Sequence, residues 1–332
     1  MIYIGIDVSK AKLDLALLDG TGKVLEQAVV KNTSQAILGR LSHWEQAHGL
    51  SREQSLACFE PTGSYSDTLM RTLVEAQVPA WRIHPLELKQ RMGMVRGKND
   101  KVDAVRMADH ARRYHDQKRL VGPGTLAVLE LKQLLAFRRR LVVDQQRHQV
   151  YKSDVYPYVS KDLRTDFAAY SGRRLSQVKA MLKKIDVQVK ALIIADPVMA
   201  KQYRLLLTVE RVGPVLAAYL LATTEAFTRI SDPRKLACHA GVSPHEHTSG
   251  SSIHSKARVS HQADKRLKHA LHMAVLGVAQ GRGELGAYYK RKVAEGKSPR
   301  SVFNAVRNKV IHRVCAVIKR GTPFMEREPV SV

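Results

Sequence analysis

The first eight residues, Met1-Ile-Tyr-Ile-Gly-Ile-Asp-Val8, predict a β-strand because apolar side chains alternate along them and the run ends near Asp7. A second apolar run extends from Leu13 to Leu18. The turn residues Asp19-Gly-Thr-Gly22 follow, and Val24 to Val30 returns as a third strand. The chain is therefore expected to open with three strands in hairpin sequence.

The next elements alternate between helix and strand. The pattern predicts helices and strands in the order helix Ser34–His48, strand Ser55–Phe59, helix Tyr65–Ala76, strand Val78–Ile83 and helix Leu86–Met94. Three strands followed by this alternation is the order of a ribonuclease-H-like sheet, with three antiparallel strands and later parallel ones. In such a sheet the strand ends that carry Asp7 and Glu60 meet at one edge.

A charged stretch, Gly97-Lys-Asn-Asp100-Lys-Val-Asp103-Ala104, opens a predicted helix from Asp100 to Arg112. Asp100 and Asp103 then project from one helical face. Two carboxylates held so close repel each other unless a cation or a shared proton lies between them. The alternative is a solvated first turn, with Asn99 or Asp100 as N-cap, and for the pair alone this alternative is favoured.

Composition points to a polyanionic partner. The chain has 332 residues, enough for two domains, and 55 Lys and Arg against 30 Asp and Glu give a formal charge of +25. Nucleic acid is the first candidate partner and a membrane surface the alternative, although no apolar run approaches the ~20 residues of a spanning helix. The N-terminus lacks the features of a signal peptide, and three scattered cysteines, Cys58, Cys238 and Cys315, suit a reducing cytoplasm.

The polar stretch before Gly122-Pro-Gly124 marks the end of a first domain, residues 1–122. Residues 123–197 are predicted to form a coiled-coil helical hairpin with Tyr151–Gly172 at its tip. Apolar residues at three- and four-residue spacing define its two helices: Val128, Leu131, Leu135 and Val142 in the first, and Leu175, Val178, Leu182, Ile185, Val189 and Leu192 in the second.

Residues 198–325 form the third predicted domain, which is mainly helical. Leu205–Ala222, with a turn at Gly213, has the outline of a helix-hairpin-helix, and an ordinary helical corner is equally compatible. Leu236–Ser260 is the least regular stretch. From residue 256 to 320 we count sixteen Lys and Arg against three acids, so we expect nucleic-acid contacts here, in particular from Lys256, Arg258, Lys265 and Arg266.

Four carboxylates, Asp7, Glu60, Asp100 and Asp103, are the candidate metal ligands. Hard oxygen ligands select Mg²⁺ or Mn²⁺, and such ions stabilise the attacking and leaving oxygens of a phosphoryl transfer. Taken singly, Asp7 is also compatible with a plain strand end and Glu60 with a helix cap. Their joint placement favours the metal site.

Ser249-Gly-Ser-Ser252 is the second candidate for chemistry, because a small turn exposes a hydroxyl among cations. From the residues alone, ordinary loop chemistry is the favoured interpretation of this stretch. A zinc site is disfavoured, because no second Cys-x-x-Cys or spaced His pair accompanies its candidate ligands, Cys238, His239, His245 and His247.

Four motifs, in order and at their intervals, resemble the DEDD transposases of bacterial insertion sequences, the insertion-sequence-110 family, which includes pilin-segment invertases. They are Ile-Gly-Ile-Asp7-Val-Ser-Lys, Phe-Glu60-Pro-Thr-Gly-Ser-Tyr, Lys98-Asn-Asp100-Lys-Val-Asp103-Ala and Ser249-Gly-Ser-Ser. The resemblance extends over residues 2–324. It implies an α/β plus α architecture: a RuvC-like N-terminal domain, a coiled-coil linker and a helical C-terminal transposase domain.

The resemblance also implies an activity: DNA recombination in the bacterial cytoplasm, at the nucleoid, guided by a bridge RNA that the element encodes and that pairs with donor and target DNA. Asp7, Glu60, Asp100 and Asp103 would hold Mg²⁺, and Ser249 would be the nucleophile. Each site would combine the acidic domain of one protomer with the serine domain of another, as dimers assemble into a tetramer. A RuvC-like junction nuclease and a non-catalytic nucleic-acid scaffold remain the alternatives.

The sequence departs from the family at two places. Val209-Glu-Arg-Val-Gly213 stands where the family has Pro-Gly-hydrophobic-Gly. After Ser260, His261-Gln-Ala-Asp-Lys-Arg266 replaces the Gly-Asn/His and Leu-Arg residues that are common in the family. Both departures affect expected DNA contacts and leave the proposed catalytic positions unchanged.

Overall fold

The structure of the protein, a computed structural model, describes residues 1–83, 85–92, 99–249, 253–259 and 263–325. Contacts within the chain divide it into two compact units, Met1–Leu126 and Ala127–Val332. Each unit has its own hydrophobic core.

The N-terminal unit is built on a mixed five-stranded sheet. Its strands are β1 (Ile2–Val8), β2 (Lys12–Leu18), β3 (Val24–Lys31), β4 (Ser55–Phe59) and β5 (Ala80–Arg82), in the spatial order β3-β2-β1-β4-β5. The first three strands pair antiparallel, β4 runs parallel to β1, and β5 runs parallel to β4. The order of the strands along the chain and their directions are those predicted from the sequence.

Strand β5 is shorter than the predicted Val78–Ile83. The amide of Val78 donates to the carbonyl oxygen of Leu73 and so closes the preceding helix instead of joining the sheet. Only Ala80, Trp81 and Arg82 pair with β4.

Four helices accompany this sheet: α1 (Ser34–His48), α2 (Tyr65–Glu75), α3 (Pro85–Met92) and α4 (Asp100–Arg113). Helix α4 lies directly on β1 at Gly5, where a Cβ atom would stand 1.8 Å from the carbonyl oxygen of Ala104. Small residues on the same helix, Ala104 and Ala108, are fully buried. The absence of a side chain at Gly5 therefore lets the helix approach the strand.

A long antiparallel helical hairpin, α5 (Pro123–Asp154) and α6 (Lys161–Ala195), leads into the second unit, and the first turn of α5 precedes the boundary at Ala127. Ion pairs join the two helices along their length: Arg138 Nε lies 2.6 Å from Asp186 Oδ1, and Arg174 Nη2 lies 3.1 Å from Asp144 Oδ2. The predicted apolar seam of α6 faces inward, with Val178, Ile185 and Val189 buried.

The prediction of a long tip at Tyr151–Gly172 is wrong, because both helices extend into it. Only residues 155–160 form the turn, and Pro157 lies in a short 3-10 turn where a missing amide hydrogen costs little. The hydroxyl of buried Tyr156 lies 3.1 Å from the Ser171 hydroxyl and ties the turn to α6.

The described part of the second unit contains six further helices: α7 (Pro197–Leu206), α8 (Pro214–Thr224), α9 (Pro233–His239), α10 (Lys265–Val275), α11 (Glu284–Ala294) and α12 (Pro299–Arg320). Their apolar faces share one core with the bases of α5 and α6. No helix in the described part of the chain combines the length and apolar character that crossing a bilayer requires.

The expectation that Leu236–Ser260 is irregular is also wrong. Helix α9 occupies its start, and a hairpin of β6 (His245–Ser249) and β7 (Ile253–Arg258) follows. The strands are mostly polar, so they lack the alternation of apolar residues by which a half-buried strand is recognised in a sequence.

Candidate functional site

Three aspartates meet at the edge of the N-terminal sheet. Asp7 lies near the end of β1, and Asp14 of β2 is its direct antiparallel partner. Asp100 is the first residue of α4, which the close contact at Gly5 brings over these strands. Carboxylate oxygens of the three residues lie within 4.8 Å of one another.

Glu60 and Asp103 lie around this trio. Glu60 follows the last residue of β4, one position beyond the pair formed by Ile6 and Phe59. Asp103 lies one turn after Asp100, and its Oδ1 accepts a hydrogen bond of 2.9 Å from Arg106 Nη1. Both carboxylates act on Asp7 through their charge. Of the four acids predicted from the sequence, the structure therefore places Asp7 and Asp100 in the 4.8 Å group and leaves Glu60 and Asp103 around it. The role of the four as metal ligands stays a prediction.

The electrostatics of the group favour a cation. Burial raises the pKa of Asp7 above its usual value, and the negative charges of Asp100, Asp103, Asp14 and Glu60 raise it further. This repulsion is relieved when the Asp7 carboxyl group is protonated, or when a cation lies beside the charged carboxylate.

Lys12 supplies one positive charge within the group. Its Nζ lies 2.9 Å from Asp14 Oδ2 and 3.1 Å from Asp100 Oδ2. Hydrogen bonds to these two carboxylates raise the pKa of Lys12. Lys12 therefore links the second strand to the start of α4.

Asp14 and Lys12 were missed by the sequence analysis. Asp14 is 2% exposed and is the one charged residue in the apolar run Leu13–Leu18. A buried carboxylate needs a partner, so its position in a core strand was the available signal.

The start of α4 combines both interpretations of the Asp100–Asp103 pair. Asn99 is the N-cap, and its side chain accepts a hydrogen bond of 3.1 Å from the Lys101 amide. The same first turn presents Asp100 to Asp7 and Asp14. The acids therefore begin a capped helix and also line the acidic group.

The residues present fit a hard divalent cation. The donors are carboxylate oxygens from three different elements, two strands and one helix, and their mutual repulsion is relieved when a cation binds between them. The repulsion follows from the positions of the carboxylates in this chain.

The serine motif lies in the second unit. Ser249 is the last residue of β6, opposite Ile253 of β7, and the structure places its backbone. Gly250, Ser251 and Ser252 lie outside the described residues. Of the predicted nucleic-acid-binding cations, Lys256 and Arg258 are on β7, whereas Lys265 and Arg266 are exposed in the first turn of α10.

The predicted helix-hairpin-helix outline corresponds to α7 and α8. Gly213 is the N-cap of α8. A Cβ atom added there would meet no neighbouring atom within 4 Å, so no close contact requires a glycine at this position. Contact with DNA at this turn stays a prediction.

The chain is similar to known transposases. Two family models match it: a DEDD transposase model of the IS110 type over residues 4–151, and the model "Transposase IS116/IS110/IS902 family" over residues 203–290. Together they match more than two thirds of the chain. The protein belongs to the IS110 family of transposases, and the resemblance seen in its motifs is confirmed.

Three relatives show how far the similarity extends. The chain is 25% identical over 332 residues to the pilin gene-inverting protein of Moraxella lacunata, covering 98% of both chains, and the same values hold for that of Moraxella bovis. It is 27% identical over 158 residues to the insertion element IS110 uncharacterized 43.6 kDa protein of Streptomyces coelicolor, covering 48% of this chain and 38% of that relative.

A similar solved structure is T. thermophilus RuvC in complex with Holliday junction substrate. The match has a TM-score of 0.29 and 18% identity, and covers 36% of this chain and 99% of that chain.

Proposed function

We propose that this protein is a DNA recombinase that moves its own insertion element, guided by a bridge RNA. The observation that carries the proposal is the convergence of Asp7, Asp14 and Asp100 at one sheet edge, within 4.8 Å. Repelling carboxylates at the edge of a sheet suit phosphoryl transfer, and the chain carries this group in a transposase family. Its charge of +25 suits nucleic-acid substrates.

Asp7, Glu60, Asp100 and Asp103 are the proposed ligands of Mg²⁺ or Mn²⁺. When bound, the ion stabilises negative charge that develops on a DNA phosphate. The chain itself prepares this position, because β1, β2 and α4 hold the carboxylates together at the cost of raising the pKa of Asp7. The N-terminal unit is then RuvC-like in function as well as in its predicted strand order.

Ser249 is the proposed nucleophile. Its Oγ attacks the phosphorus of a DNA phosphodiester, a serine–phosphate ester forms, and the bond from phosphorus to one sugar oxygen breaks. The serine proton passes to a carboxylate base, and the departing sugar oxygen takes up a proton. In rejoining, a sugar hydroxyl attacks the same phosphorus and releases Ser249, so the energy of the phosphodiester is conserved.

The proposed assembly has DNA and RNA as partners. Donor and target DNA pair with the bridge RNA, while Lys256, Arg258, Lys265 and Arg266 contact the backbones. Acids of one protomer meet the serine of another in a tetramer formed from dimers, in the bacterial cytoplasm at the nucleoid. The names of the Moraxella relatives, gene-inverting proteins, agree with a DNA rearrangement.

The test is a search for a covalent protein–DNA adduct. The protein is incubated with the RNA of its element, Mg²⁺ and a suicide DNA substrate, and adducts are separated on a denaturing gel. Wild type should form the adduct, whereas Ser249→Ala and Asp100→Ala should not. An adduct that survives Ser249→Ala would move the nucleophile to another residue, such as Ser251 or Ser252.

A metal-dependent junction nuclease is the second candidate, because the acidic trio is complete within the N-terminal unit. A nuclease uses water, so Ser249→Ala would still cut DNA and leave free ends. Binding without any cut or adduct would instead favour a nucleic-acid scaffold.

A further inference from the structure

Two cation-rich helical faces meet in the second unit and line an open groove of about 440 Å³. We call it the α10–α12 pocket. Helix α10 and helix α12 line it with Lys265, Lys268, His269, His272, Arg300, Phe303 and Arg307. Only Lys265 was among the cations predicted from the sequence to bind nucleic acid.

The spacing of these residues explains why they converge. On α10 the lining positions follow one another by three, one and three residues, and on α12 by three and four, so each set forms one helical stripe. The residues beside each stripe are fully buried, for example Leu267 and Leu271 on α10 and Val306 and Val310 on α12. The core thus fixes the cationic faces toward each other.

Among the residues that the structure describes, no carboxylate lines the α10–α12 pocket. A neighbouring cavity of about 480 Å³ gives the contrast, because there Arg313 Nη2 lies 2.6 Å from Glu284 Oε2 and Arg313 Nη1 lies 3.3 Å from Glu210 Oε2. Among the described residues, no ion pair engages Lys268, Arg300 or Arg307. The positive charge of this pocket is therefore not neutralised from within.

The charged forms of two side chains of the pocket are disfavoured by their surroundings. Burial lowers the pKa of Arg307, whose Nε donates to the Phe303 carbonyl oxygen at 3.3 Å. Burial, with the charges of Arg307 and His269, lowers the pKa of His272. The buried Nδ1 of His272 has no hydrogen-bond partner in the described part of the chain. A bound anion would relieve this repulsion.

We propose that the α10–α12 pocket binds a phosphodiester group of the nucleic-acid backbone. The proposal rests on the proposed function, since it names a place where that function would hold its substrate. Arginine and lysine are the usual partners of backbone phosphates, and the ring of Phe303 offers an apolar surface to the attached sugar or base. DNA and RNA share this chemistry, and the test separates them.

The test compares the salt dependence of binding. The double variant Lys268→Gln, Arg300→Gln removes two cations from the pocket. Its affinity for a fluorescent mixed-sequence DNA duplex and for a mixed-sequence single-stranded RNA is measured in EDTA, from about 50 to about 300 mM KCl. Each lost phosphate contact lowers the slope of log affinity against log salt by about 0.9 for duplex DNA and about 0.7 for a single strand. We expect a loss of about 1.8 units of slope for the duplex and about 1.4 for the single strand, with binding on the order of a hundredfold weaker at the lowest salt.

A charge-matched control is the double variant Arg138→Gln, Lys292→Gln, whose cations are already paired with Asp186 and Glu295. It should keep the wild-type slope. An effect of the pocket variant on the duplex alone would assign the pocket to DNA, and an effect on the single strand alone would assign it to RNA. Restoring charge with Lys268→Arg, Arg300→Lys should restore the slope.

Equal slopes for wild type and the pocket variant on both probes would overturn the proposal, as would an equal loss in the control. The assay needs neither Ser249 nor a metal ion, so it is independent of cleavage. Wild-type binding with a pocket-dependent slope, but without a covalent adduct, would reject the proposed recombinase and retain the pocket. A covalent adduct together with an unchanged slope would support the proposed recombinase and reject the phosphate-binding role of the pocket.

Discussion

Asp7 carries the electrostatic cost of the acidic group. Its pKa is raised by burial and by Asp100, Asp103, Asp14 and Glu60, so its ionisation is disfavoured in the folded state. The metal-free protein therefore loses stability as the pH rises from the ordinary value of 3.8 through the raised folded pKa, and the full penalty remains at neutral pH.

Asp7→Asn should remove this penalty and also one proposed metal ligand. At pH 7 in EDTA we expect its melting temperature to exceed that of the wild type by a few degrees, with the difference vanishing below the ordinary carboxyl pKa. Added Mn²⁺ should raise the melting temperature of the wild type and leave the variant unchanged.

Exposed Asp116, which lies outside the group, provides the control. Asp116→Asn makes the same charge change and should retain the Mn²⁺ response. A lower melting temperature for Asp7→Asn in EDTA would show that Asp7 has a stabilising structural role instead.

At the residue level, the sequence predicted the acids near strand ends and at a helix start, and missed Asp14 within an apolar strand. Asp7 and Glu60 are visible because they lie near the end of a strand or directly after it, and Asp100 because it begins a helix. Asp14 is hidden by its apolar neighbours, and its proximity to Asp7 depends on the register of β1 and β2. The link from Lys12 to Asp100 spans 88 positions and requires the fold.

The contact of α4 with β1 is the element-level feature on which the acidic group depends. Gly5→Ala would place a Cβ atom 1.8 Å from the Ala104 carbonyl oxygen and 2.5 Å from the Ala108 amide nitrogen, both backbone atoms. The helix must then move away from the strand and carry Asp100 with it. We expect the free energy of unfolding to fall by about 1–3 kcal/mol. We also expect Mn²⁺ no longer to raise the melting temperature.

Gly39→Ala is the matched control for Gly5→Ala. Gly39 lies inside α1, with no atom within 4 Å of an added Cβ, so alanine there should stabilise the protein by about 0.5–1 kcal/mol. The free energies of unfolding of wild type, Gly5→Ala and Gly39→Ala are measured by chemical unfolding. Equal free energies for Gly5→Ala and wild type would contradict the proposed role of the contact.

The turn between α7 and α8 holds one residue in an unfavourable backbone conformation. Arg211 has a φ of 70°, in the left-handed region that favours glycine. Its guanidinium lies over Gly277 and Gly281, where an added Cβ would come within 3.3 and 2.2 Å of it. Packing on these two glycines, with Glu210 3.7 Å away, offsets the unfavourable backbone.

Element boundaries were predictable where apolar spacing is strong. The strands and helices of the first unit and the seam of α6 follow their patterns closely, because each buries one regular face. The hairpin β6–β7 and the helical ends around residues 155–160 were missed, because a polar hairpin has no apolar period and a tyrosine-rich stretch fits several structures.

At the scale of the whole molecule, the two proposed halves of the active centre belong to different units. The carboxylates lie in residues 1–126, and Ser249 lies in the unit that begins at Ala127. The charge of +25 predicts a nucleic-acid partner, whereas the way in which chains combine into one centre is not encoded in composition or periodicity.

Mixing two inactive variants tests whether the centre is shared between chains. Ser249→Ala keeps the acids and Asp100→Ala keeps the serine, so if each centre combines units from two protomers, a mixed assembly contains some intact centres. Random mixing in a symmetric assembly gives each centre one chance in about four of receiving both intact halves. We therefore expect about a quarter of the wild-type amount of covalent adduct from an equimolar mixture that has been allowed to exchange subunits, and none from either variant alone. Co-purification of the two variants through different affinity tags controls for the exchange itself. If the mixture of single variants stays inactive while that control shows exchange, the two halves must come from one chain, because only then does every centre inherit one defect.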